Sequence, residues 1–123
     1  MTARTGTRAG RVSLARAARE MRPQAARAAR LLKAIGNAQR LMILCSLVPG
    51  PLSVGEINEH VALSQSALSQ HLAVLRDAGV VVTRRESQSV VYSLPTGVVT
   101  RIIGELHGEF CPRRPRPAIG SES

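Results

Sequence analysis

The apolar positions of this chain fall into short blocks with helical or alternating spacing, separated by Gly, Pro and small polar residues. Ala25, Ala28, Leu32 and Ile35 share a helical stripe; Pro23 is suited to open that first helix and Gly36 to close it. Asn37 stands at the N-cap of a second helix, which the "PGP" at residues 49–51 must end because no helix continues through it. Ser53-x-x-Glu56 is a capping box with Leu52 and Ile57 spaced as a hydrophobic staple, predicting a short third helix to about His60. Ser64 caps a fourth, again with a staple pair, Leu63 and Leu68, and Gly79 sits where a left-handed residue ends a helix.

After Gly79 the period changes. "VVVTRRESQSVVYSL" is two β-branched runs around a polar "RRESQS", the pattern of a hairpin. Pro95 is then placed to open a last helix, on which Val98, Val99, Ile102, Ile103, Leu106 and Phe110 lie within an arc of about 140°. With the core elements already accounted for, that stripe is expected to meet another protein surface, most simply a second copy of the chain. A capped short helix, a turn, a longer capped helix and a hairpin describe a winged helix-turn-helix. The expected fold is mainly α, about five helices plus a two-stranded wing, in a homodimer.

The fourth helix has an unusual exposed face. Leu68, Leu72 and Leu75 form one narrow apolar strip, while Gln65, Ser66, Ser69, Ala73 and Arg76 spread over the other side with Gln70 beside them. Gln pairs with adenine N6 and N7, Ser suits base edges or phosphates, and neither brings a bulky stem into a major groove. His71 lies at the edge of the apolar strip and is a candidate for either DNA contact or hydrogen-bonded support. On the hairpin, Arg84, Arg85 and Gln88 are placed to meet a minor groove or backbone, each true phosphate contact adding about 0.9 to the salt slope. A solvated turn whose charges discourage edge pairing is the plainer reading of those residues.

Charge supports the polyanion. The 123 residues carry a formal +9, almost all of it Arg, with Lys33 the single lysine. Tyr92 and Phe110 are the only aromatics, so the stacking platform of single-strand and RNA binders is missing and double-stranded DNA is the better partner. No apolar run approaches the roughly 18 residues that would span a bilayer, so no membrane partner is expected. The N-terminus lacks the apolar stretch of a secretory signal, although its Arg-rich, acid-poor composition also fits an organellar transit peptide. Two cysteines are too few for a disulfide scaffold, and a reducing cytoplasm is the expected location. Residues 1–22 are read as a flexible Arg-rich arm, 23–111 as the folded domain, and 112–123 as a disordered Pro/Arg tail.

"LSQSALSQHLAVLRDAGVVVTRRESQSVVYSL", with "LLKAIGNAQRLMILCSL" before it, resembles the ArsR-type (arsenic-repressor) family of winged helix-turn-helix repressors over roughly residues 25–111. The resemblance implies a homodimer joined mainly through its first and last helices, which blocks an inverted-repeat operator until an inducer binds. The stripe from Val98 to Phe110 then becomes dimer interface.

Metal-sensing members use cysteines in the third helix or His and carboxylates in the last. Here "SVGEINEH" has no cysteine, and the last helix offers only His107 with Glu105 and Glu109 on other faces. Zinc needs three or four converging ligands, and His60, His71 and His107 belong to separate elements, so a metal sensor is disfavoured and no resident cofactor is expected. Leu41, Leu44, Cys45 and Val48 share one helical face, which puts Cys45 on the core side, where cysteine usually acts as a small hydrophobe. Cys111 closes the last helix, with Arg113 and Arg114 nearby to favour a thiolate and the helix C-terminus opposing it. Spacing alone does not bring the two together. A cysteine in "LMILC" and another just after the last helix is, however, the arrangement of a subgroup that includes the biofilm growth-associated repressor and its sulfide-responsive relatives. That similarity implies that persulfide or polysulfide, or in related proteins an oxidant, bridges Cys45 and Cys111 and releases the operator. Haem or a metal as inducer is the alternative within the family. Outside it stand a nucleoid-type protein coating DNA without sequence preference and a thiol enzyme, the latter supported by nothing beyond the two cysteines.

Overall fold

A computed structural model describes residues 13–111. A helical segment at 13–21 (α1) leads through a turn of 3-10 helix, Arg22–Gln24, into α2 (Ala25–Ile35), followed by α3 (Ala38–Ser46). The short strand β1 (Leu52–Ser53) precedes α4 (Val54–His60) and α5 (Gln65–Asp77); β2 (Val82–Glu86) and β3 (Ser89–Ser93) form the wing, and α6 (Val98–Phe110) closes the domain.

The arm expected over 1–22 is therefore helical where it is described. "SLARAAREM" consists almost entirely of strong helix formers, and local propensity carries the segment although every residue in it is exposed. Residues 1–12 and the tail 112–123 lie outside the described residues. At the other end, α6 starts at Val98 rather than at Pro95: Pro95–Gly97 form a turn, with Gly97 at φ 105° and the Thr100 hydroxyl donating 2.5 Å to the Pro95 carbonyl.

The caps are those the sequence carries. Asn37 Oδ1 accepts from the Arg40 backbone N–H at 3.0 Å. Ser53 and Glu56 exchange both bonds of the capping box, and Ser64 Oγ accepts from the Ala67 N–H at 3.1 Å. At the end of α5, Gly79 takes φ 75°, its N–H reaching Arg76 O while Val80 N–H reaches Leu75 O, both at 3.0 Å. This is the Schellman arrangement, which needs a residue tolerant of the left-handed region.

The wing pairs Val82 with Ser93 through Glu86 with Ser89, leaving a two-residue loop in which Ser87 has φ 57°. β3 is also paired on its other edge: Leu52 lies opposite Tyr92 and Ser53 opposite Val91, making a three-stranded sheet in the order β1-β3-β2. The sequence reading missed β1, because two residues are too short to show alternation and they double as staple and N-cap of α4.

Ile43, Leu44, Ile57, Leu68, Leu75, Val80 and Ile103 are completely enclosed, so every helix from α3 to α6 contributes to one core. Two expected stripes are divided differently. In α2 the buried residues are Ala34 and Ile35, while Leu32 is 56% exposed. In α6, Val99 and Ile103 pack into the chain's own core, Ile102 and Leu106 are half-buried, and Val98 and Phe110 are exposed, Phe110 by 75%. Part of the last stripe thus serves the monomer and only its flank is free to meet a partner.

Candidate nucleic-acid interface and thiol cleft

The helix-turn-helix is set by two capped helices and the segment between them. Asn58 of α4 turns its side-chain amide onto Val61 O (3.2 Å), which also accepts from the Leu63 N–H, and onto Leu63 O (2.9 Å), tying the four-residue connection to the helix before it. Leu68, Leu72 and Leu75 are buried, which fixes the rotation of α5 and holds Gln65, Ser66, Ser69, Gln70, Ala73 and Arg76 at the surface. Sequence reasoning overlooked Asn58, whose type and position just before a helix-ending turn were the available signal.

His71 is half-buried, with Nδ1 3.5 Å from Nη1 of Arg40. The same guanidinium donates from Nε to Ala34 O at 2.7 Å and from Nη2 to Lys33 O at 3.4 Å, tying α3 to the C-terminal end of α2. Of the two roles open to His71, these contacts favour support, and Arg40 emerges as a residue that the sequence reading did not single out.

On the wing, Arg84, Arg85 and Gln88 are all exposed. Arg84 is not a free cation: Nη2 pairs with Oε2 of Glu86, its neighbour on the same face of β2. Arg85, on the opposite face, has no ion-pair partner among the described residues.

A second feature lies beside the α3–β1 connection. Cys45 of α3 and Cys111 at the end of α6 line one open cleft of about 640 Å³, together with Met42, Leu52, His60 and His107. Both cysteines are free thiols; Cys45 is half-buried and Cys111 exposed. Burial pushes the Cys45 thiol above its ordinary value, and negative charge on Cys111 adds to the rise. The cleft also gathers His60 and His107, which sequence reasoning kept apart. Among the described residues, no three of the His, Cys, Asp and Glu side chains converge as metal ligands would. Likewise among the described residues, no helix is long and apolar enough to cross a membrane.

Two capped helices set by a four-residue turn, with a basic hairpin beside them, define a winged helix-turn-helix DNA-binding protein. The chain belongs to the arsR family of bacterial regulatory proteins, whose family model matches residues 37–83. It is 51% identical over 92 residues to the transcriptional activator HlyU of Vibrio cholerae, covering 75% of this chain and 85% of that protein. The biofilm growth-associated repressor of Xylella fastidiosa is 38% identical over 92 residues, covering 75% of this chain and 81% of the relative. Among solved structures, HlyU from Vibrio cholerae N16961 superposes with a TM-score of 0.70 at 50% identity, over 74% of this chain and 99% of that one. The chain is accordingly a DNA-binding transcriptional regulator of the ArsR type and not an enzyme.

Proposed function

We propose that this protein is a homodimeric repressor that holds an inverted-repeat operator in its reduced form and leaves it when Cys45 and Cys111 are bridged. The observation that carries the reading is the shared cleft: two thiols from distant parts of the chain line one space. In this reading Gln65, Ser66, Ser69 and Gln70 face the operator bases, with His71 held behind them by Arg40. Arg84, Arg85 and Gln88 carry the wing contact. Exposed Leu32, Val98 and Phe110 on α2 and α6 supply the apolar surface for the second copy. Two-fold symmetry then sets half-sites roughly 34–36 Å apart.

The bridge is balanced with either inducer class. Peroxide removes two electrons and two protons from the thiol pair and leaves a disulfide and two waters. Polysulfide converts each thiol to a persulfide, and loss of hydrogen sulfide between them leaves a bridge with an extra sulfur atom. α3 and α6 also carry core residues, so a covalent tie between them changes the spacing of the two α5 helices. A coupling of about 1–3 kcal/mol gives about 5- to 150-fold weaker operator binding.

The test treats reduced protein separately with polysulfide, peroxide and zinc, then measures intact mass and operator affinity. A bridged mass with lost affinity, abolished by Cys45→Ser and by Cys111→Ser, is the expected result; a response that survives both substitutions removes the switch. Competition by bulk duplex DNA separates repression from the coating role, since a coating protein shows no operator preference.

A further inference from the structure

A cleft of about 340 Å³ opens beside the C-terminal half of α5, lined by Arg30 and Lys33 of α2, Arg40 of α3, Val74 and Asp77 of α5, and Ala78 just after it. It is separate from the thiol cleft and from the wing. Three cations face one carboxylate there, and none of the three has an ion-pair partner among the described residues, where Arg84 with Glu86 is the sole pair. Arg30 and Lys33 are exposed, while Arg40 is half-buried and fixed by its bonds to Ala34 O and Lys33 O. Those bonds and the contact to His71 leave further N–H groups on the terminal nitrogens of Arg40 unused. A cation anchored in advance loses little side-chain freedom when an oxyanion arrives, and a guanidinium presents paired donors that match phosphate geometry.

The position of the cleft identifies the occupant. Gln70, Val74 and Asp77 follow one another a turn apart on α5, so the cleft begins where the Ser/Gln face ends. A helix seated in a major groove about 12 Å wide has a phosphate strand along each flank, within reach of Arg and Lys side chains. We propose that Arg30, Lys33 and Arg40 form a phosphate-binding cradle that takes a backbone phosphate of the bound duplex, outside both the helix-turn-helix and the wing. Asp77 walls the far side and directs the anion toward the cations. The assignment to duplex rests on the DNA-binding reading of α5; the phosphate chemistry does not, since a free oxyanion would meet the same donors.

The experiment keeps those sources apart. Arg40 is left intact because it also holds α2 to α3, and the exposed pair is replaced as R30Q/K33Q. Operator and bulk-duplex affinities are measured against salt, and reduced wild-type protein is titrated with inorganic phosphate while the backbone amide resonances of α2 and α3 are followed. The cradle takes one phosphate, so it predicts a log–log salt slope smaller by about 0.9 in the double variant, with weakening alike on operator and bulk duplex. R30K/K33R is expected to restore the slope. Phosphate-induced shifts that vanish in R30Q/K33Q while the DNA slope stays unchanged would confirm the cradle and overturn the duplex as its source. An unchanged slope with no phosphate-induced shift overturns the proposal outright. Should wild-type protein bind no duplex at all, the reading of α5 fails and the phosphate titration still decides the cradle.

Discussion

Cys45 and Cys111 line the same cleft, and the thiol of Cys45 is held above the ordinary range first by its own burial and then by the charge on Cys111. The two thiols therefore differ in reactivity before any inducer arrives, since the thiolate is the nucleophile. At neutral pH the exposed Cys111 is expected to react first with iodoacetamide. The rate at Cys45 should rise only above the usual thiol pKa of about 8.5. Cys111→Ser should move that profile to lower pH, though not to the free-thiol position, because burial remains. Mass mapping of alkylation against pH checks both statements, and equal rates at the two sites would remove the distinction.

The same shift fixes a sign for stability. A raised native pKa means that the folded state keeps its proton longer than the unfolded chain. The stabilisation linked to Cys45 is complete below the ordinary thiol value and is lost as pH rises through the raised one. The difference between the urea midpoints of wild type and Cys45→Ser is expected to stay constant below that alkaline window and to change within it, as the wild type loses stability there.

Arg84 and Glu86 neutralise each other on one face of β2, while Arg85 on the other has no ion-pair partner among the described residues. Arg85→Ala is therefore expected to lower the salt slope of binding by about 0.9, with a smaller change for Arg84→Ala. Glu86→Gln should strengthen binding on operator and bulk duplex alike, because it frees Arg84. Equal slopes for wild type and Arg85→Ala would take the wing contact out of the binding model.

The turn of the helix-turn-helix depends on one amide. Asn58→Ala leaves the Leu63 carbonyl without its donor, while Val61 O keeps the Leu63 N–H, and a cost of about 1–3 kcal/mol is expected for the one unsatisfied carbonyl. Operator affinity should fall with stability, since the turn sets the angle of α5. Thermal unfolding beside a binding isotherm measures both.

Gly79→Ala isolates backbone strain. Nothing lies within 4 Å of the added methyl, yet the residue must keep φ 75°. The expected loss is about 1–2 kcal/mol. For a domain of this size each kcal/mol lowers Tm by about 4–8 °C. Gly50→Ala, equally open and without a positive φ, is the matching control.

The local elements were legible because their signals are local. Ser53 with Glu56, Ser64, Asn37 and Gly79 act within a few residues of themselves, and each stands in the structure where the sequence put it. The rotation of α5 was equally readable, since three leucines at helical spacing leave no second way to bury it. The failures also have physical causes. β1 exists through pairing with β3, and the sharing of α6 between core and surface depends on what lies across from it. The 13–21 helix forms on propensity alone, and with few large apolar residues it leaves no hydrophobic period in the sequence to reveal it.

What the amino-acid order determined by itself was a set of capped helices, a basic hairpin, an excess of cation and two cysteines. Only tertiary structure decided which distant groups meet. It placed Cys45 and Cys111 on one cleft, turned His71 to Arg40, and set Arg30 and Lys33 beside the end of α5. Caps and periods are written within one turn of chain. Shared clefts are written in the packing of elements that lie far apart along it.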